Sequence, residues 1–163
     1  MKTLVVYYSR TGNTRLIGNE IAAALGADVE ELKDKKNRKG PIGFLMAGRE
    51  AMKGLPTELE ALDHDPAAYD LVLVGSPVWA GSLCPPVRTF LTQQHADLKQ
   101  VAWFSTCGSE DGSSASKAFS QMTEVSGRPP ECTLALGPKA IKADHAEALA
   151  AFLGKINRQC PAK

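Results

Sequence analysis

The chain has 163 residues, of which 44% are hydrophobic and 23% are charged. These proportions are typical of a globular protein with a buried core, and the length suits a single domain over residues 1–163. The 19 basic and 18 acidic residues give a formal net charge of +1. This balance excludes disorder driven by high net charge and gives no sign of a nucleic-acid-binding protein.

No apolar run approaches the roughly 20 residues that a membrane-spanning helix needs, so we expect no membrane insertion. Residues 1–8 are not followed by the cleavage pattern of a signal peptide. The four cysteines form no CxxC pair, which argues against a zinc site. Free thiols in a reducing cytosol are the simplest interpretation, so the expected location is cytoplasmic. These cysteines are Cys84, Cys107, Cys132 and Cys160.

Strands and helices alternate along most of the chain. Continuous apolar runs predict buried strands, and apolar residues spaced three and four apart predict helices. The predicted strands are residues 4–8, 28–32, 71–75, 101–105 and 132–136. The predicted helices are residues 14–25, 87–94, 114–125 and 144–157. The inner face of the last helix is predicted to carry Ala148, Leu149, Phe152, Leu153 and Ile156.

This alternation predicts a parallel sheet with helices on both faces, which is a three-layer, doubly wound α/β/α fold. Residues 33–62 interrupt the rhythm as a long connection between the second and third strands. The part from Lys33 to Lys53 is rich in lysine and arginine. An apolar group there is compatible with a short helix; it consists of Ile42, Phe44, Leu45 and Met46.

The segment after the first strand has the chemistry of a phosphate-binding loop. It offers three hydroxyl groups and one amide, and its glycine lets the backbone approach a ligand closely. Unpaired N–H groups at the start of the following helix favour an anion there. The dinucleotide and P-loop fingerprints are both absent, so a monophosphate fits better than a nucleoside triphosphate. The alternative is a helix cap that binds nothing. The segment is Ser9-Arg10-Thr11-Gly12-Asn13-Thr14.

Two further loops follow the third and fourth strands. Ligands of open parallel sheets bind beyond the carboxyl ends of the strands, where these loops lie. Trp79 in the first loop either covers a flat ligand or packs on its own protein. The second loop, with two glycines, suits close backbone contacts or is merely a flexible turn. The loops are Ser76-Pro77-Val78-Trp79-Ala80-Gly81-Ser82 and Thr106-Cys107-Gly108-Ser109-Glu110-Asp111-Gly112.

With these three loops in order over nearly its whole length, the chain resembles the short-chain flavodoxins and related flavodoxin-like FMN-binding proteins. The resemblance implies a five-stranded sheet of order 2-1-3-4-5, with FMN bound at the point where the order reverses. It implies that the first loop holds the phosphate, that Trp79 stacks on the isoalloxazine ring, and that the third loop contacts the polar edge of the ring. The implied cofactor-binding residues are Ser9, Arg10, Thr11, Gly12, Asn13, Thr14, Ser76, Pro77, Val78, Trp79, Ala80, Gly81, Thr106, Cys107, Gly108, Ser109 and Asp111.

Three functions stay open at this point. The chain is an electron carrier between redox proteins, an NAD(P)H-dependent FMN reductase acting on quinones or similar small acceptors, or an interaction module without flavin. The absence of a recognisable nicotinamide site favours the carrier, whereas the near-neutral charge and Arg10 depart from strongly acidic carriers. A phosphorylated receiver domain is excluded because the strand ends lack its metal-binding carboxylates. The basic segment is a solvated loop, a docking site for an acidic redox partner, or a cover over the cofactor edge.

Overall fold

The computed structural model describes residues 1–159, so the prediction for Cys160 lies outside the described residues. Five parallel strands form a sheet, and a short sixth strand pairs antiparallel with its central strand. The order β2-β1-β3-β5-β6 confirms the predicted 2-1-3-4-5 order of the parallel strands. The strands are β1 (Thr3–Tyr7), β2 (Asp28–Glu31), β3 (Leu71–Trp79), β4 (Ser82–Leu83), β5 (Gln100–Thr106) and β6 (Thr133–Leu136).

Helices connect the strands and cover both faces of the sheet. They are α1 (Asn13–Leu25), α2 (Gly40–Lys53), α3 (Pro85–Gln94), α4 (Ala115–Ser126), α5 (Pro138–Lys142) and α6 (Ala146–Gln159). The inner face predicted for α6 is wrong at Ala148, which is exposed, whereas Phe152 and Ile156 are buried. Among residues 1–159, no helix combines the length and apolarity needed to cross a bilayer.

The alternation of side chains along β1 explains why there are two cores. Leu4 and Val6 belong to the cluster on one face of the sheet, and Val5 and Tyr7 belong to the cluster on the other. The first cluster packs against α2, α3 and α4, and the second packs against α1 and α6. Because both faces are covered, the central strands are nearly all apolar, as the sequence predicts.

Strand β3 is longer than predicted and includes part of the expected loop. Residues up to Pro77 pair with β5, and Trp79 pairs with Ser82 of β4. Ala80 and Gly81 form the two-residue turn between β3 and β4, with φ angles of 48° and 70°. Positive φ at both positions is the geometry of a tight hairpin turn. The tryptophan is therefore held at a strand end rather than in a free loop.

The basic segment is not simply solvated, because Arg38 is buried with a side-chain exposure of only 3%. Its Nε atom donates to Asp34, and its Nη1 atom lies 2.6 Å from a carboxylate oxygen of Glu50 on α2. Lys36 also donates to Glu50, and the hydroxyl of Thr57 donates to Asp34. We call these five residues the Arg38 cluster. It ties the segment before α2 to Glu50, near the end of that helix.

An ion pair also joins the segment just before α6 to α1. The Nε2 atom of His145, just before α6, lies 2.5 Å from a carboxylate oxygen of Glu20 on α1. This hydrogen bond is the main cause of the raised pKa of His145, against a smaller opposing effect of burial. The pair therefore stabilises the fold mainly when the imidazole carries a proton.

Replacing His145 by glutamine is expected to lower the free energy of unfolding by up to about 1 kcal/mol at pH 5, because the pair is partly exposed. A histidine with a raised folded pKa stabilises fully below its unfolded pKa, about 6.5, and loses that contribution as pH rises through the folded pKa. Urea unfolding of both proteins at pH 5 and pH 9 should therefore give a difference only at pH 5. An equal difference at both pH values would contradict the assignment.

Candidate functional site

The predicted phosphate loop and the loop after β5 are joined by a buried hydrogen bond. The hydroxyl oxygens of Thr14 and Thr106 lie 2.8 Å apart. Within the first loop, the backbone N–H of Gly12 donates to the hydroxyl oxygen of Ser9 at 3.1 Å. Gly12 has a φ of 101°, which a residue with a side chain adopts only with strain. These two hydrogen bonds and the positive φ of Gly12 therefore define the conformation of the loop before α1.

The amino end of α1 is open to an anion. The first hydrogen bond of its backbone ladder runs from the N–H of Leu16 to the carbonyl of Gly12, so earlier N–H groups of the helix have no partner in the ladder. No side chain caps this end and no acidic residue lies in its first turn. The side chains of Thr11 and Asn13 are exposed beside it. Together with the helix dipole, these groups favour a phosphate.

A cavity of about 180 Å³ begins at this loop, and we call it the loop cavity. Its lining combines hydroxyl and amide groups with apolar and aromatic side chains. A ligand with a phosphate at one end and a flat ring at the other fits this combination. The lining residues are Arg10, Thr11, Asn13, Thr14, Phe44, Pro77, Val78, Trp79, Thr106 and Cys107.

Trp79 is packed on several sides and keeps 9% of its surface exposed. The ring of Tyr8 meets it edge to face, with centroids 5.6 Å apart. The guanidinium groups of Arg10 and Arg38 lie 5.7 and 5.5 Å from the indole centroid. Arg10 also lies 4.6 Å from the ring centre of Phe44. The indole is therefore a packed wall of the site, and Arg38 of the Arg38 cluster is one of the residues that pack against it.

Two titratable groups beside the tryptophan stay neutral near pH 7. Burial, with smaller effects of Asp34 and Cys84, raises the pKa of the Tyr8 hydroxyl to about 12. Burial also raises the pKa of the Cys84 thiol to about 11. Cys84 is consequently not a thiolate nucleophile at neutral pH.

Several predicted site residues do not line the loop cavity. Ser76 is fully buried, and its hydroxyl donates to the carbonyl of Pro77. The hydroxyl of Ser109 bonds to Ser114 instead, and Asp111 is exposed, with its pKa lowered by the hydrogen bond from the backbone of Ser113. Gly108 is exposed as well. As cofactor contacts, these residues stay predictions, and the structure gives them roles in the core and in the turn before α4.

Helix α2 contributes a wall beside Trp79. Of the three alternatives for the basic segment, a cover over the cofactor edge comes nearest to this placement, although no α2 residue was predicted to belong to the site. Beside Trp79 lies a second cavity of about 300 Å³, which we call the α2 cavity. It shares Arg10, Phe44, Val78 and Trp79 with the loop cavity. The only sequence feature that pointed to these residues was the apolar group within the basic segment, which includes Phe44 and Leu45. The α2 cavity is lined by Arg10, Phe44, Leu45, Ala47, Gly48, Arg49, Met52, Val78, Trp79 and Ala80.

Comparison with known proteins agrees with this architecture. Residues 1–129 match the family described as NADPH-dependent FMN reductase. A flavoprotein from Lactobacillus acidophilus NCFM, solved in complex with FMN, is 26% identical with a TM-score of 0.68, covering 86% of this chain and 96% of that chain. Flavodoxin 2 from Bacillus cereus is 20% identical with a TM-score of 0.50, covering 93% of this chain and 99% of that chain. The second likeness shows the fold alone.

The sheet order and the helices on both faces define a flavodoxin-like α/β protein. The family match extends from the first residue through α4 and so includes all three loops. The chain belongs to the NADPH-dependent FMN reductase family.

Proposed function

We propose that this chain is an FMN-dependent oxidoreductase that takes electrons from NAD(P)H and reduces a small acceptor. FMN is the cofactor indicated by the family and by the flavoprotein relative in complex with FMN. The residues present fit this cofactor, because the loop cavity has hydroxyl and amide groups at the open end of α1 and an indole beyond them. The lining includes no carboxylate that would repel a phosphate.

In this assignment the chain's own groups bind and orient the cofactor. Backbone N–H groups at the start of α1 and the side chains of Thr11 and Asn13 hold the phosphate. Trp79, Val78, Thr106 and Cys107 line the same cavity and would contact the ring. When bound, FMN supplies the ability to accept a hydride and to pass on two electrons.

The α2 cavity is the observation that favours a reductase over a carrier. A carrier exchanges electrons at its surface and needs no substrate pocket, whereas this cavity adjoins the cofactor region and is mostly apolar. Its size and lining are typical of a small-molecule site. For a quinone acceptor, NAD(P)H gives two electrons and one proton, water gives a second proton, and the products are NAD(P)⁺ and the quinol.

Steady-state oxidation of NADPH tests this function. Purified protein saturated with FMN is expected to oxidise NADPH when 1,4-naphthoquinone is added, at a rate well above that of the same concentration of free FMN. Rates equal to the free-FMN control, with rapid electron exchange to a redox protein instead, would contradict the reductase and favour the carrier.

Replacing Gly12 by alanine is expected to weaken FMN binding about tenfold or more. Alanine at a φ of 101° is strained by about 1–3 kcal/mol, so the loop relaxes and its N–H groups no longer point at the phosphate. The measurement is a fluorescence titration of FMN. Gly127→Ala is the matched control, because Gly127 also has a positive φ but follows α4, away from the loop. It should lower stability without changing the FMN affinity, and equal affinities for all three proteins would refute the assignment.

A further inference from the structure

The α2 cavity has a mostly apolar lining, and its charged lining residues are all basic. Most of its lining is aliphatic or aromatic, including Phe44, Leu45, Met52 and Trp79. Its charged lining residues are two arginines, Arg10 and Arg49, and no acidic residue lines it. An uncharged apolar acceptor would leave both guanidinium groups without an anionic partner. The cavity therefore has the composition of a site for an apolar ligand that carries negative charge.

Among the described residues, the two arginines of the cavity lack the acidic partner that Lys36 and Arg38 have. Within residues 1–159, no ion pair is formed by Arg10 or Arg49, whereas Lys36 and Arg38 pair with Glu50. Glu50 follows Arg49 directly, but its carboxylate is committed to the Arg38 cluster on the buried side of α2. Glu50 is the only acidic residue of α2, and it is bound within the Arg38 cluster. Arg49 therefore has no acidic partner on its own helix and can bind an anion at the cavity.

We infer that the α2 cavity binds a planar aromatic acceptor bearing an anionic group, such as a sulfonate or carboxylate, and that Arg49 binds this group. The inference rests on the proposed function and specifies its acceptor. The aromatic rings lie against the apolar wall shared with the loop cavity. The anionic group lies at the arginine rim, where a charge-assisted hydrogen bond is stronger than a neutral one. Arg49 is a specificity residue in this account and takes no part in the electron transfer.

Calorimetric titration of the FMN-saturated protein with naphthalene-2-sulfonate and with the neutral 2-naphthalenemethanol tests the inference. The sulfonate is expected to bind about fivefold more tightly, and Arg49→Gln should remove this preference while leaving the neutral affinity unchanged. Lys53→Gln is the matched control, because Lys53 is exposed on the same helix but does not line the cavity. Equal affinities for the two ligands, or the same loss in both variants, would overturn the inference.

A third variant tests the location. The position of a Cβ atom on Gly48 lies 3.7 Å from the Cβ of Ala80, so leucine at residue 48 begins at the cavity wall and extends into the cavity. Gly48→Leu should weaken the binding of both naphthalene ligands, and unchanged affinities would place them elsewhere and overturn the inference.

The kinetics with two quinones separate this inference from the proposed function. If Arg49-dependent binding occurs but neither 1,4-naphthoquinone nor its 2-sulfonate supports NADPH oxidation, the reductase proposal fails and the cavity's preference for an anion stands. Oxidation of NADPH with equal kcat/KM for the two quinones would contradict the inference and leave the reductase intact.

Discussion

Replacing Arg38 by methionine is expected to lower the free energy of unfolding by about 3–5 kcal/mol, because it leaves the buried Asp34 carboxylate without its cation and Glu50 with Lys36 alone. Asp34 and Arg38 have side-chain exposures of 2% and 3%, and Glu50 has 12%. Methionine has a similar length and still packs beside the indole of Trp79, so the loss comes from the charge. Urea unfolding at pH 7 measures the difference.

Arg15→Met is the matched control for Arg38→Met. Arg15 makes three hydrogen bonds to the carboxylate of Glu31, but its side chain is 51% exposed. Water already solvates these charges, so the expected loss is below about 1 kcal/mol. Equal losses in the two variants would mean that burial does not make the Arg38 cluster special and would contradict its role in fixing α2.

The pH dependence of the Arg38 variant follows from Glu50. Burial by itself would raise the pKa of this carboxyl, but hydrogen bonds from Lys36 and Arg38 outweigh it, so the pKa lies below its usual 4.5. A group with a lowered folded pKa stabilises above its unfolded pKa and loses that contribution as pH falls through the folded value. The difference between wild type and Arg38→Met should therefore be full at pH 7 and shrink below about pH 4.5.

Replacing Trp79 by alanine is expected to weaken FMN binding by about 1–3 kcal/mol, the range found when an aromatic ring that stacks on a nucleobase is removed. The indole lines both cavities and is packed against Tyr8, Arg10 and Arg38. Stability should fall as well, by about 3–5 kcal/mol, because most of the side chain is buried. Fluorescence titration with FMN and urea unfolding separate the two effects.

Trp103 provides the control for Trp79. It is fully buried on β5, belongs to the same core cluster, and lines neither cavity. Trp103→Phe should lower stability and leave FMN affinity unchanged, whereas Trp79→Phe keeps a flat ring and should lose less affinity than Trp79→Ala. If Trp103→Phe weakened FMN binding as much as Trp79→Ala, the loss would reflect general loosening of the fold rather than contact with the ring.

The parallel sheet could be predicted because its buried strands are continuous apolar runs, as in Leu71 to Val74. The open start of α1 could be predicted because its chemistry is local: hydroxyl groups, a glycine and a helix start lie in six consecutive residues. That this loop binds a phosphate stays a prediction. The family resemblance added the order of the strands, which depends on contacts distant in sequence. For these features, neighbouring residues or the family pattern carry the information.

The extension of β3, the burial of Arg38 and the α2 cavity could not be predicted, because each depends on contacts with residues distant in the sequence. Pro77 indicates a loop by composition, yet pairing with β5 keeps it in a strand. Burial of Arg38 needs Glu50, which lies on the following helix, so one cation of a run whose lysines stay exposed becomes part of the interior. Helix α2 exposes 61% of Phe44 and 75% of Leu45, so its apolar residues do not mark a core-facing stripe. The α2 cavity follows from this placement and was missed for the same reason.

We propose that the loop before α1 binds the phosphate of FMN while Trp79 lies beside the attached ring. Calorimetric titration with FMN and with riboflavin, which has the same ring without the phosphate, tests it most directly. Charge-assisted hydrogen bonds are worth about 1.5–3 kcal/mol each, so we predict that FMN binds at least about tenfold more tightly than riboflavin. Equal affinities for the two flavins, or no binding of FMN, would contradict the account.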